Sequence, residues 1–183
     1  MSTTYCAAAP GHAFHGPYHD TEYGFPQRDD KVLFERLVLE INQAGLSWLT
    51  ILKKREAFLW AYDGFDIDLV ASYAPERVAM LLADAGIIRN RLKIEAAIEN
   101  AKRLQQIRER YGSFASWLDA HHPRDKAEWV KLFGKTFRFT GGEIVGEFLM
   151  SLGYLPGAHA PDCPRYQEII ALSPPWLAAS PGR

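Results

Sequence analysis

Only two cysteines occur in the chain, Cys6 and Cys163, and they stand 157 positions apart. A fold stapled by several disulfides is therefore excluded, and in a reducing compartment two such residues are read as free thiols or metal ligands. Long hydrophobic runs are missing, so no segment reads as a bilayer span, and Met1 to Pro10 lacks the basic start and apolar stretch of a secretory signal. The expected location is the cytoplasm. An excess of one charge is also missing: the net charge is −1, which argues against a protein that coats nucleic acid through a broad basic surface. Any contact with DNA has to be local. Internal repeats, low-complexity tracts and Ser/Gly-rich linkers are absent as well, and 183 residues suit one domain rather than two. The expectation is a single domain over residues 1–183 with a Pro-rich, irregular tail from about 173 to 183.

What is present is helical periodicity. Asp29 and Asp30 are placed to cap a helix whose apolar positions Leu33, Phe34, Leu37, Val38 and Ile41 recur every three or four residues, with a stop near Gly45. Ser47 caps a second helix, which turns Trp48, Ile51, Leu52, Phe58 and Leu59 toward a core and Lys53, Lys54, Arg55 and Glu56 toward solvent. Pro75 suits the first turn of a third helix that stops at Gly86, and Asn90 to about Arg110 forms a long fourth. Shorter helices are expected over Ser113–Ala120 and Glu143–Leu152, irregular chain over Pro156–Pro164, and one strand-like piece over Thr136–Thr140, too short to build a sheet. The fold class is all-α.

Cys6 and His19 lie near one end, and His159 and Cys163 form a His-x-x-x-Cys pair near the other. Thiolate and imidazole suit zinc, and four protein ligands fill a tetrahedral shell with no place for substrate, so such an ion is structural. Spacing alone leaves open two buried thiols beside unrelated histidines, because the pairs fit no common finger pattern.

Several uninterrupted blocks are more specific. Tyr18-His19-Asp20-Thr21-Glu22-Tyr23-Gly24, Leu39-Glu40-Ile41-Asn42-Gln43-Ala44-Gly45-Leu46-Ser47-Trp48, Ile51-Leu52-Lys53-Lys54-Arg55-Glu56 and Asp84-Ala85-Gly86-Ile87-Ile88-Arg89-Asn90-Arg91 ahead of Lys93-Ile94 are similar to the 3-methyladenine DNA glycosylase I family, in register from Cys6 to Cys163. The resemblance implies a helix-hairpin-helix glycosylase-like domain, with one structural zinc held by Cys6, His19, His159 and Cys163 joining the two ends. It implies a base pocket formed by Glu40, Tyr18 and Trp48, and a Gly45-Leu46 turn pushed into the gap left in the duplex. The implied partner is double-stranded DNA containing alkylated adenine, and the implied activity is monofunctional release of 3-methyladenine or a similar N3-alkylated adenine in base excision repair. No protein partner is implied, and a monomer is expected.

These residue types suit that chemistry. Extracting a nucleotide costs a few kcal/mol of unstacking, which stacking and edge contacts must offset. Trp48 offers a stacking face, and Glu40 can accept from the adenine edge while rejecting the acceptor that guanine presents there. An alkylated base is already a good leaving group, so water suffices as nucleophile and no Schiff-base lysine is required. The hairpin from Gly86 to Arg89 and the helix behind it, including Lys93, can direct backbone N–H groups at a phosphate. Seven Lys or Arg stand against three Glu from Gly86 to Gly112, a local basic stretch or else a solvated face with ion pairs.

The chain departs from the family pattern at three places around the pocket. Ala8 and Tyr23 stand where tryptophans are usual, and His15 where a tyrosine is common. Tyr23 and His15 are therefore expected at the base, with an altered lesion preference or a weakened, merely DNA-binding protein as the competing readings. Glu143 and Glu147 sit one turn apart in a segment that the family brings near the pocket, and a solvated acidic face is the ordinary reading of such a pair. A hydrolytic metalloenzyme is the third reading, and it requires an open coordination position.

Overall fold

A computed structural model describes residues 4–178, and among them there are helices, turns and bends but no strand. The helices are α1 (Tyr5–Ala8), α2 (His15–Thr21), α3 (Asp30–Gln43), α4 (Trp48–Ala61), α5 (Ile67–Ala71), α6 (Pro75–Ala83), α7 (Arg91–Tyr111), α8 (Phe114–His121), α9 (Lys126–Thr136), α10 (Gly142–Ser151), α11 (Pro164–Ala171) and α12 (Pro175–Ala178). No described helix is long and apolar enough to cross a membrane.

Helix α3 is the axis of the fold. It packs on α4, α7, α8 and α10, so that every residue from Arg36 to Asn42 is buried, polar ones included. Its start is set by sequence: the Asp29 carboxylate accepts from the amides of Lys31 and Val32 at 2.9 and 3.2 Å. Asp30 has a different task from the expected cap, accepting from the amide of Phe114 at 2.9 Å and so tying α3 to the start of α8. Ser47 caps α4 and Asn90 caps α7 through their side chains.

Several sequence expectations need correction. Thr136–Thr140 is not a strand. Helix α9 runs through Thr136, and the chain then bends where buried Asn100 both donates to the Arg138 carbonyl and accepts from the Arg138 amide. A lone strand has no ladder to join, whereas a helix buries Trp129 and Phe133 together. On α4, Phe58 takes the core-facing position and leaves Leu59 43% exposed. Arg55 is not a solvent-facing residue: it bonds Glu22 at 2.7 and 2.8 Å and Glu35 at 2.6 Å. Buried Arg36 adds a contact to Glu22 at 3.2 Å, so three helical segments share one ionic cluster. Burial alone would raise the Glu22 carboxyl, but Arg55 and Arg36 hold it below the ordinary carboxylate range. The expected irregular tail contains α12, and residues 179–183 lie outside the described residues.

The turn between α3 and α4 is held from a distance. Gly45 adopts φ +80°, where a β-carbon would meet nothing within 4 Å, so glycine serves the backbone conformation and not the space. Lys93 is not exposed to a phosphate. It is 5% exposed, and its ammonium donates to the carbonyls of Asn42 and Ala44 at 2.9 and 2.7 Å, a cation at the C-terminal end of α3. Replacing it with methionine (Lys93→Met) keeps the aliphatic stem but strands two carbonyls, and is expected to lower stability by about 2 kcal/mol in urea denaturation. An unchanged unfolding midpoint would mean that the turn holds itself.

Candidate active site and metal centre

The side chain of Glu40 opens into a cavity of about 270 Å³ walled by Tyr5, Tyr18, Tyr23 and Trp48, with Gln43 and Glu147 at its edge. The walls come from four separate elements, α1, α2 with the residues after it, α3 and the first turn of α4, while Glu147 arrives on α10. Tyr18 sits against Trp48 at 5.2 Å and against Tyr23 at 5.7 Å between ring centroids, and Tyr5 meets Tyr23 edge-on at 5.4 Å. The Arg36 guanidinium lies 5.1 Å from the Tyr18 ring centre.

Three polar groups in this apolar space have no partner. Glu40 is 4% exposed and makes no hydrogen bond among the described residues, and the Tyr18 hydroxyl and Trp48 indole N–H are buried and unbonded. Burial, with Glu147 adding to it and Arg36 opposing it, pushes the Glu40 carboxyl up to about 8. Its neutral form therefore prevails in the free pocket near pH 7. An unbonded buried acid in an aromatic cavity is what a flat polar ligand would satisfy.

The expected residues do not all reach the cavity. Tyr18, Trp48 and Tyr23 wall it, but His15 stands behind Tyr5, with its Nδ1 3.1 Å from the Tyr5 hydroxyl, and has no place on the lining. Ala8 is exposed and Tyr5 supplies the aromatic wall instead. Tyr5 was legible only as the neighbour of Cys6: whatever holds that cysteine brings the ring with it. Glu147 is not on a solvated face, since the Tyr23 hydroxyl donates to its Oε2 at 3.2 Å and burial raises its carboxyl.

Glu40, Gln43 and Glu147 also line a larger groove of about 590 Å³, bounded by Ala44-Gly45-Leu46 on one side and Gly141 to Ile144 on the other. The base-sized cavity thus opens onto a groove with exposed Leu46 at its rim. In the hairpin ahead of α7, Asp84 accepts from the Gly86 amide at 2.7 Å, and a β-carbon at Gly86 would stand 3.0 Å from that of Ala57. Arg89 is exposed there. The basic stretch behind it is largely committed, with Arg91 on Glu95, Arg103 on Glu99, Arg108 on Asp68, and Lys93 buried.

Cys6, His19, His159 and Cys163 do meet, with their four ligand atoms within 4.8 Å of one another. Cys6 Sγ lies 3.7 Å from His159 Nδ1, which lies 3.4 Å from Cys163 Sγ, itself 3.8 Å from His19 Nε2. Bonds of about 2.0 to 2.3 Å in a tetrahedral shell require such edges. The other imidazole nitrogens are oriented by acceptors: His19 Nδ1 faces Asp20 Oδ1 at 2.7 Å, and His159 Nε2 faces the Tyr23 carbonyl at 2.6 Å. Those contacts fix which nitrogen is left for an ion. The cluster can hold a metal, and through Tyr5 and Tyr23 it touches two walls of the cavity.

Comparison with known proteins agrees with this arrangement. Residues 9–131 match the methyladenine glycosylase family. The DNA-3-methyladenine glycosylase of Haemophilus influenzae is 33% identical over 181 residues, covering 88% of this chain and 97% of the relative. DNA-3-methyladenine glycosylase 1 of Escherichia coli is 46% identical over 101 residues, 55% of this chain and 54% of the relative. Among solved structures, the 3-methyladenine DNA glycosylase I of Staphylococcus aureus superposes with a TM-score of 0.78 at 32% identity over 90% of this chain and 97% of its own. A variant of 3-methyladenine DNA glycosylase I in complex with 3-methyladenine gives the same TM-score and identity over 87% and 96%. Sharing both a helical architecture and a third of its residues over nearly the full length of the Haemophilus influenzae relative and of the two solved structures, the chain belongs to the methyladenine glycosylase family.

Proposed function

We propose that the protein is a monofunctional DNA glycosylase that takes 3-methyladenine, or a similar N3-alkylated adenine, out of alkylation-damaged duplex DNA and hydrolyses its N-glycosidic bond, opening base excision repair. The observation that carries this reading is Glu40, a buried and unbonded acid in an aromatic cavity that opens onto a groove. In its neutral form the carboxyl offers one O–H donor and one carbonyl acceptor, which complement N7 and the N6 amino group of adenine. Guanine places a second acceptor, O6, against that carbonyl and is disfavoured. Tyr18 and Trp48 supply faces that favour an electron-poor cationic ring.

When the bond breaks its electron pair returns to the alkylated base, which leaves neutral, and water attacks the sugar cation and loses a proton to solvent. No lysine lines the cavity or the groove among the described residues, in keeping with a reaction that forms no Schiff base. The enclosed cavity around Glu40 favours an enzyme over a DNA-binding module that has lost catalysis. Leu46 is placed to occupy the gap left by the flipped nucleotide, and the Gly86–Arg89 hairpin to meet the backbone. The ion that fits the two thiolates and two imidazoles is zinc, and four protein ligands close its shell, so its role is structural and the hydrolytic-metalloenzyme reading is disfavoured. We place the protein in the cytoplasm, acting as a monomer.

Glu40→Gln is expected to reduce release of 3-methyladenine from methylated DNA at least about a hundredfold, measured by chromatography of the free base. The same substitution is expected to stabilise the fold at pH 7.5. At pH 4 the acid is protonated folded and unfolded, whereas between about 4.5 and 8 only the unfolded chain ionises, so stability is lost as pH rises through that window. A few kcal/mol should therefore separate the variant from wild type at pH 7.5 and almost nothing at pH 4; equal melting temperatures at both would contradict a buried neutral acid. Cys163→Ala is expected to lose stoichiometric zinc by elemental analysis and to melt earlier, and unchanged zinc content would refute the four-ligand site.

A further inference from the structure

The end of the cavity that meets the groove is unusually acidic for so enclosed a place. Glu40 and Glu147 line both spaces, and among the described residues neither is ion-paired with any Lys or Arg. The cations nearby have their hydrogen bonds elsewhere, Arg36 with Glu22 and the Ser151 carbonyl and Lys126 with Glu143 at 3.3 Å, and act on Glu40 and Glu147 only through space. The two acidic side chains differ in depth. Glu40 is almost fully buried, while Glu147 is half-buried at the mouth, where only one of its oxygens is held, by the Tyr23 hydroxyl. Tyr18 and Trp48, whose hydroxyl and indole N–H are buried and unbonded, wall the same cavity. A flat ligand with acceptors and a positive charge answers this set.

We propose that Glu147, fixed by the Tyr23 hydroxyl at the mouth of the cavity, is a second substrate-facing carboxylate that restricts the enzyme to nucleotides with positive charge where base meets sugar. The inference rests on the glycosylase reading above and adds its selectivity. A flipped nucleotide must leave its base within the cavity and its sugar toward the groove, so the N-glycosidic bond crosses the mouth. The positive charge begins on the alkylated purine. As the bond breaks and its electron pair passes to the base, the charge moves to the sugar ring, and an anion at the mouth faces it before and after. A neutral lesion such as a deaminated purine has no charge for Glu147 to meet in the bound state, and its release is disfavoured relative to N3-alkylpurines. Tyr23 is a positioning residue in this scheme, acting through Glu147 by the hydrogen bond from its hydroxyl.

The test compares wild type, Glu147→Gln, Tyr23→Phe and Glu40→Gln on two duplexes. One carries 3-methyladenine, and its release is followed in a single turnover. The other carries 3-deaza-3-methyladenine, an uncharged isostere, and its affinity is measured. Glu147→Gln is expected to slow release about thirtyfold while binding the isostere duplex within about twofold of wild type. Tyr23→Phe is expected to slow release severalfold, again with isostere binding kept. Retained isostere binding also reports that the variants are folded. Undiminished release by Glu147→Gln overturns the assignment of Glu147 alone, as does a parallel loss of release and isostere binding. Wild-type protein that releases no methylated base overturns the glycosylase reading itself.

Discussion

A carboxyl group enclosed without a hydrogen-bond partner, that of Glu40, is the constraint around which the rest of the structure is arranged. Helix α3 is surrounded by four others, so a residue at this position has no route to water except through the cavity. The nearest cation on the same helix, Arg36, does not neutralise it, because Glu22 and the Ser151 carbonyl claim the guanidinium. Burial therefore keeps the acid protonated, and the fold carries an unfavourable group that only a ligand can satisfy. Stability is given up at one residue that walls a cavity, a trade common at functional sites.

The metal cluster serves that cavity at one remove. Cys6 carries Tyr5 into the wall because the two are adjacent in α1, and the Tyr23 carbonyl that orients His159 belongs to the residue whose ring closes the other side. Two segments with little apolar periodicity of their own are joined at a point where their aromatic rings converge. A metal held by these four side chains would fix two walls of the cavity from outside it.

The side with the groove and the hairpin follows the same economy. Lys93 stands at the start of the long helix behind the hairpin and bonds the carbonyls at the end of α3, so that helix is tied to the chain entering the Gly45-Leu46 turn. Much of the positive charge on α7 is spent on acidic neighbours within the protein. The contact surface for a phosphate backbone is correspondingly small, in keeping with a chain of nearly zero net charge.

The sequence by itself determined the helical class, the caps at Asp29 and Ser47 and, through the blocks it shares with the family, the set of Cys6, His19, His159 and Cys163 and the set of Glu40, Tyr18 and Trp48. Each of these is written in local periodicity, in capping chemistry or in contiguous blocks of residues. Only the tertiary structure decided what long-range packing controls. It removed His15 and Ala8 from the pocket and put Tyr5 there, because α1 is placed by a cluster 153 positions distant in sequence and not by its own four residues. It turned Lys93 inward, since an ammonium on the buried side of α7 meets helix carbonyls before it meets solvent. And it set Glu147 at the mouth of the cavity, where spacing from Glu143 reads as a solvated face and only the family resemblance pointed toward the pocket: a helix shows its period in sequence, but which neighbour each face meets is settled by the packing of the whole chain.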